Sequence, residues 1–201
     1  MIIGIIDYGM GNLKSVKKAF NFLGADTKFV TSFKEFKDVY AIVLPGVGAF
    51  GKAVLNLKNI DLFNNFFEQI DTKPFLGICL GQQLLFDKSE ETFEGEMYGG
   101  LELFKKDIKR FTGDMKIPHM GWSKVSNKNS RLLRDIPDDS YFYFVHSYYA
   151  PIIDYTTGVS EYSIKFSAIV ERDNIFGVQF HPEKSGTTGL KILKNFLELI
   201  K

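Results

Sequence analysis

One feature of the first half of this chain constrains its fold more than any other. Short runs that are apolar throughout alternate with segments of helical periodicity. Ile2–Ile6 is such a run, ending at Asp7-Tyr8-Gly9-Met10-Gly11-Asn12. Asn12 is a good helix N-cap. Leu13, Val16, Phe20 and Leu23 then fall on one helical face, and Gly24 supplies a stop. Residues 27–30 and 41–44 read as further strands, the second cut off by Pro45-Gly46. Helical patterns over 49–57 and 62–70 precede a fourth strand at 75–78, and 80–87 is expected to be helical. A strand with no polar face must be covered on both sides. The alternation therefore predicts an α/β protein with a largely parallel sheet and right-handed crossovers. Ligands in such sheets bind beyond the carboxyl ends of the strands.

Beyond residue 102 the helical period fades. Aromatic and β-branched runs at 141–145, 166–170 and 175–180 predict antiparallel strands, added to the same sheet or lying beside it. The acidic stretch 88–100 reads as a loop, and Leu190, Leu193, Leu197 and Ile200 share one face of a closing helix. No repeat or linker divides the 201 residues, so one domain, 1–201, is expected. A net charge of +1 argues against a nucleic-acid partner. The one cysteine excludes an internal disulfide and suits a reducing cytosol. The N-terminus lacks the basic lead and the ~7–15 apolar residues of a secretory signal. No stretch approaches the ~18–20 apolar residues of a membrane span. A soluble, cytoplasmic protein is expected.

The unusual segments all follow strands. Gly46-Val47-Gly48-Ala49-Phe50-Gly51 has the G-x-G-x-x-G spacing between a strand and a helix. It admits three readings: a dinucleotide site, a structural turn, or a loop of backbone N–H donors for an oxyanion. Asp71 has the spacing of a ribose-binding acid but precedes the next strand instead of ending it. Gly77-Ile78-Cys79-Leu80-Gly81 has the form of a nucleophile elbow with cysteine in the serine place. A sharp strand-to-helix turn exposes the side chain, flanking glycines relieve crowding, and a helix N-terminus favours a thiolate. The competing reading is a buried structural cysteine. His181-Pro182-Glu183 follows the strand at 175–180 and offers a base with a carboxylate two residues on to orient it. With the elbow, it gives the triad Cys79, His181 and Glu183. His119 and His146 have no acid nearby in sequence and suit structural or substrate-positioning roles. One cysteine and scattered histidines offer no metal-ligand spacing, so no metal is expected.

Together these segments resemble the class I, triad-type glutamine amidotransferases, and within them the glutaminase subunits that serve histidine biosynthesis. The resemblance runs from Asp7-Tyr8-Gly9-Met10-Gly11-Asn12-Leu13 through Leu44-Pro45-Gly46-Val47-Gly48 and Gly77-Ile78-Cys79-Leu80-Gly81-Gln82-Gln83-Leu84. It continues with Pro118-His119-Met120-Gly121-Trp122 and Tyr143-Phe144-Val145-His146-Ser147-Tyr148, and ends at Gly177-Val178-Gln179-Phe180-His181-Pro182-Glu183-Lys184-Ser185-Gly186. It implies a single-domain, flavodoxin-like three-layer fold and needs no cofactor. By resemblance, the Cys79 thiolate attacks the side-chain amide of glutamine. His181 protonates the departing ammonia and then activates water against the glutamyl thioester, while Glu183 orients the imidazole. The N–H of Leu80 and a backbone N–H near Val47-Gly48 form the oxyanion hole. Gly48, Gln83, Ser147 and Tyr148 hold the α-groups of glutamine.

The chain ends at Lys201, just after its closing helix, so a separate partner is expected to use the ammonia. The resemblance implies a heterodimer with a (β/α)8-barrel cyclase subunit, a lyase overall. That subunit joins ammonia to a phosphoribulosyl formimino-aminoimidazole carboxamide ribonucleotide. Asn12, Trp122 and Lys184 would face it. The glutaminase would stay nearly silent until the partner holds its ligand, with a peptide of the oxyanion loop turning over as the switch. Three alternatives compete. The same glutaminase could serve a paralogous cyclase-like partner in surface-sugar amidination. The chain could be a dinucleotide-dependent oxidoreductase using the 46–51 loop. It could be a non-catalytic regulatory subunit, against which the presence of both nucleophile and base argues.

Overall fold

Each apolar run of the first half becomes a strand in the computed structural model, which describes residues 1–60, 63 and 72–200. The helical pattern at 62–70, apart from Phe63, lies outside the described residues, as does Asp71. Strands β1 (Ile2–Ile6), β2 (Asp26–Val30), β3 (Ala41–Gly46) and β4 (Phe75–Cys79) pair in parallel in the order β2-β1-β3-β4. The late strand β13 (Ile175–Val178) lies parallel on the other side of β4. From there β12 (Ile164–Arg172), β11 (Thr156–Tyr162), β8 (His119–Asn127) and β9 (Ser140–His146) extend the sheet antiparallel. A second sheet joins β10 (Tyr148–Tyr149), β7 (Phe104–Arg110), β5 (Phe86–Phe93) and β6 (Glu96–Gly99) in that order. The runs expected at 141–145, 166–170 and 175–180 all join the large sheet, the first two antiparallel as expected and the third antiparallel to β12 but parallel to β4.

Side chains alternate across a strand, so β1 sends Ile3 and Ile5 to one face and Ile6 to the other. Helices α1 (Leu13–Phe22) and α4 (Gly186–Leu199) cover the first face with Val16, Phe20, Ile192 and Phe196. Helix α2 (Phe50–Asn59) covers the other with Phe50, Ala53, Val54 and Leu57, beside Phe86 and Phe104 of the small sheet. Each such buried Val, Leu, Ile or Phe side chain contributes roughly 1.5–3 kcal/mol of transfer free energy. Asn12 sits at the N-cap of α1, where its carbonyl accepts from the N–H groups of Ser15 and Val16, but its side chain makes no capping bond.

Two expectations fail between residues 80 and 100. The helix α3 (Leu80–Gln83) is a single turn and does not reach residue 87. Leu84, Leu85 and Phe86 are buried on every side, and their carbonyls accept from the N–H groups of Leu101, Glu102, Leu103 and Phe104. That long-range pairing starts β5 and outweighs the local periodicity. The stretch 88–100 is no loop but mostly the β5–β6 hairpin, turned at Glu94 and Gly95, both with positive φ.

Candidate active site

The sheet order puts β4 between β3 and β13, so the carboxyl ends of three strands lie side by side. Gly46 is paired with Cys79 across β3 and β4, and Val178 with Ile78 across β13 and β4. Cys79 has φ 56° and ψ −109°, a conformation that a non-glycine residue holds at a cost of roughly 1–3 kcal/mol. The turn is tight enough that a Cβ on Gly81 would lie 1.8 Å from the Leu44 carbonyl oxygen. Cys79 is 6% exposed, and its exposed part opens into a pocket of about 270 Å³.

His181 and Glu183 follow β13 directly. The His181 main-chain N–H bonds to the Tyr143 carbonyl at 2.9 Å, and its own carbonyl accepts from the Ser185 hydroxyl at 2.7 Å. Glu183 Oε1 accepts from the ring Nδ1 of His181 at 2.8 Å. The other ring nitrogen, Nε2, is buried, and among the described residues no oxygen or nitrogen atom bonds to it. Burial opposes charge on this ring. The nearby Cys79 sulfur and then Glu183 outweigh it, raising the imidazole from 6.5 to about 10. The three groups singled out in the sequence are thus brought together, with an imidazolium held between a sulfur and a carboxylate.

Val47, Gly48, Leu80, Gln83, Ser147 and Tyr148 all line the same pocket. Gly48 has φ +100°, which an L side chain rarely adopts. Gly51, by contrast, is required for packing, because a Cβ there would lie 2.5 Å from the Tyr98 ring. The 46–51 loop therefore divides its glycines between the pocket and the core. Gln83 Nε2 donates to the Tyr148 carbonyl and to Gln179 Oε1, both at 2.9 Å. Among the described residues, no group of three or more His, Cys, Asp or Glu side chains is placed to hold a metal.

The model of the glutamine amidotransferase class-I family matches residues 4–200. The chain belongs to that family. It is 49% identical, over 100% of its length and 99% of the relative, to "Imidazole glycerol phosphate synthase subunit HisH" of Caldanaerobacter subterraneus subsp. tengcongensis. The protein of the same name from Desulfitobacterium hafniense is 49% identical over 97% of this chain and 93% of that one. Among solved structures, PurLQS from Thermotoga maritima superposes with a TM-score of 0.78 at 17% identity, covering 100% of this chain and 99% of that one, a likeness of fold.

In this amidotransferase two of the three residues expected to face a partner, Trp122 and Lys184, are exposed. Trp122 is 54% exposed and meets the Tyr143 ring edge-on at 6.1 Å, while Lys184 Nζ lies 5.9 Å from the same ring. Asn12 is half-buried at the start of α1. Three residues of the site carried no assigned role in the sequence. Glu91 lines the pocket from β5, and its Oε2 accepts from the Phe50 N–H at 2.8 Å, where α2 has no side-chain cap of its own. Burial raises its carboxyl above the ordinary value. Gln179 Nε2 donates to Cys79 Sγ at 3.6 Å. Among the described residues the buried Tyr8 hydroxyl finds no hydrogen-bond partner, and burial, then the Cys79 charge, raise its phenol. Of these, Gln179, two residues before His181, and Tyr8, in the segment after β1, lie in stretches that carry the family resemblance, and Glu91 had no sequence signal.

Proposed function

We propose that this amidotransferase is the glutaminase subunit of an imidazole glycerol phosphate synthase, supplying ammonia to a (β/α)8-barrel cyclase subunit in histidine biosynthesis. The observation that carries the chemistry is the convergence of Cys79, His181 and Glu183 at one end of three neighbouring strands. The thiolate attacks the side-chain amide carbonyl of glutamine. The oxyanion forms against the N–H of Leu80 and a backbone N–H near Val47 and Gly48. His181, charged at neutral pH, gives its Nε2 proton to the departing ammonia and leaves a glutamyl thioester. The neutral ring then takes a proton from water, and hydroxide attack releases glutamate. Glu183 holds the ring through Nδ1 throughout.

Gly48, Gln83, Ser147 and Tyr148 hold the α-groups of the substrate. Glu91, the one carboxylate lining the pocket among the described residues, is the group we assign to the α-ammonium. The names borne by relatives 49% identical over nearly the whole chain support the histidine-pathway cyclase as partner. A free nucleophilic thiol suits the reducing cytoplasm, and none of the described helices is long and apolar enough to cross a membrane. The test is glutamine hydrolysis by the isolated chain and by its mixture with such a cyclase and the cyclase's ribonucleotide ligand. Hydrolysis is expected to rise steeply in the full mixture. Its absence there would sink the reading.

A further inference from the structure

A partly buried run of hydrogen bonds leads from Ser123 to the Cys79 sulfur, and each bond fixes the direction of the next. The Tyr148 carbonyl can only accept, so His146 Nδ1, 2.7 Å from it, carries a proton. In the neutral ring His146 Nε2 is then a lone pair, and His119 Nδ1, 3.1 Å away, must donate to it. His119 Nε2 is in turn a lone pair, and the Ser123 hydroxyl donates to it at 2.8 Å. Burial keeps both rings uncharged, pushing His119 down to about 4. For His146, burial first and then the neighbouring His181 charge outweigh the Tyr148 carbonyl and bring it to about 3. His119 is also stacked between Tyr162, at 4.1 Å, and Phe144, at 5.1 Å.

The run continues beyond Tyr148. Its carbonyl also accepts from Gln83 Nε2, and the second N–H of that amide goes to Gln179 Oε1. With its oxygen so engaged, Gln179 must present Nε2 to Cys79 Sγ. A flipped Gln179 would instead set a carbonyl oxygen against a thiolate.

We propose that His119 and His146 are positioning residues for Cys79. Locked in one pair of tautomers, they hold the Tyr148 carbonyl, which anchors Gln83 and so keeps the Gln179 N–H on the sulfur. The proposal rests on reading Cys79 as the nucleophile. It adds Gln179 as a group in contact with the reacting atom and gives the two histidines a role beyond filling the core.

Two readouts test it without glutamine turnover. Long-range 1H–15N NMR of the labelled full chain at pH 7 is expected to show His119 and His146 neutral, both protonated on Nδ1. An Nε2–H tautomer or an imidazolium at either position overturns the proposal. Alkylation of Cys79 by iodoacetamide at pH 7 is expected to slow by about threefold or more in Gln179→Leu and in His146→Phe. His146→Asn keeps a donor for the Tyr148 carbonyl and is expected to recover at least about half of that loss. A folded His146→Phe protein alkylated at the wild-type rate overturns the coupling. Should either variant fail to fold, the tautomers of the unaltered chain decide. Nδ1–H tautomers with His146-dependent alkylation, but no glutamine hydrolysis with the cyclase, would support this coupling while removing the glutaminase reading.

Discussion

At neutral pH the His181 ring carries a charge that burial alone would remove. Its retention means that the sulfur and the carboxylate together outweigh the loss of solvation. The sign of the resulting pH dependence follows. The folded value, about 10, lies above the ordinary 6.5, so the imidazolium contributes its full stability below about pH 6.5. That contribution drains away as pH rises toward 10. Urea midpoints of wild type and His181→Gln are therefore expected to differ most near pH 6 and to converge by about pH 10. A constant difference would remove the charged pair. The chemistry gives a second expectation. Glu183→Gln leaves the ring's size and place but removes the carboxylate that favours its charged, oriented form. Glutamine hydrolysis is expected to fall by on the order of 10²-fold, with little change in KM. Loss confined to KM would move Glu183 from orienting the ring to binding substrate.

The elbow is an element whose geometry depends on what is missing from it. A Cβ on Gly81 meets the Leu44 carbonyl at 1.8 Å, backbone against backbone, so no side-chain movement relieves it. Gly81→Ala is expected to lose about 3 kcal/mol or more, beyond ordinary overpacking, read as a lower denaturant midpoint with an unchanged slope. Gly24→Ala meets no atom within 4 Å, and its cost is confined to φ +81°, so it is the milder control. These elements also show what a sequence carries. β1, β3 and β4 were legible because their residues are apolar on both faces, and the triad because its motifs fall at strand ends. The helix expected over 80–87 was not, because Leu80, Leu84 and Leu85 satisfy helical spacing while the pairing partners of Leu84, Leu85 and Phe86 lie at 101–104. Glu91 stayed hidden for the same reason. Its partner Phe50 is 41 residues away, and an acid in an acidic stretch gives no local sign of a pocket. Gln179 and Cys79 are 100 residues apart, and only the parallel pairing of β13 with β4 makes them neighbours.

At the scale of the molecule, the end of the sheet that carries Cys79 lies beside the β8–β9 edge, where His119 is paired with the pocket-lining His146. Met120, Trp122 and Tyr141 project from that edge, 64%, 54% and 53% exposed. Trp122 is paired with Tyr143, whose main-chain carbonyl holds the His181 N–H and whose ring lies under Lys184. On the proposed reading, a partner has to seat beside the Cys79 pocket if ammonia is to pass without escaping to water, where it is protonated, and this edge adjoins it, since Met120 is paired with the pocket-lining Val145. An exposed tryptophan at the centre of such a patch has the character of an anchor, and truncating it typically costs about 2 kcal/mol or more of binding. Trp122→Ala is therefore expected to weaken association with the cyclase by at least about tenfold in a calorimetric titration. Glutamine-dependent turnover at limiting concentration should fall in step. Turnover of the cyclase with added ammonium, which bypasses this subunit, should not change. If affinity were unaltered while glutamine-dependent turnover fell, Trp122 would be acting on the pocket from within this chain, and the partner's seat would have to be sought elsewhere on the surface.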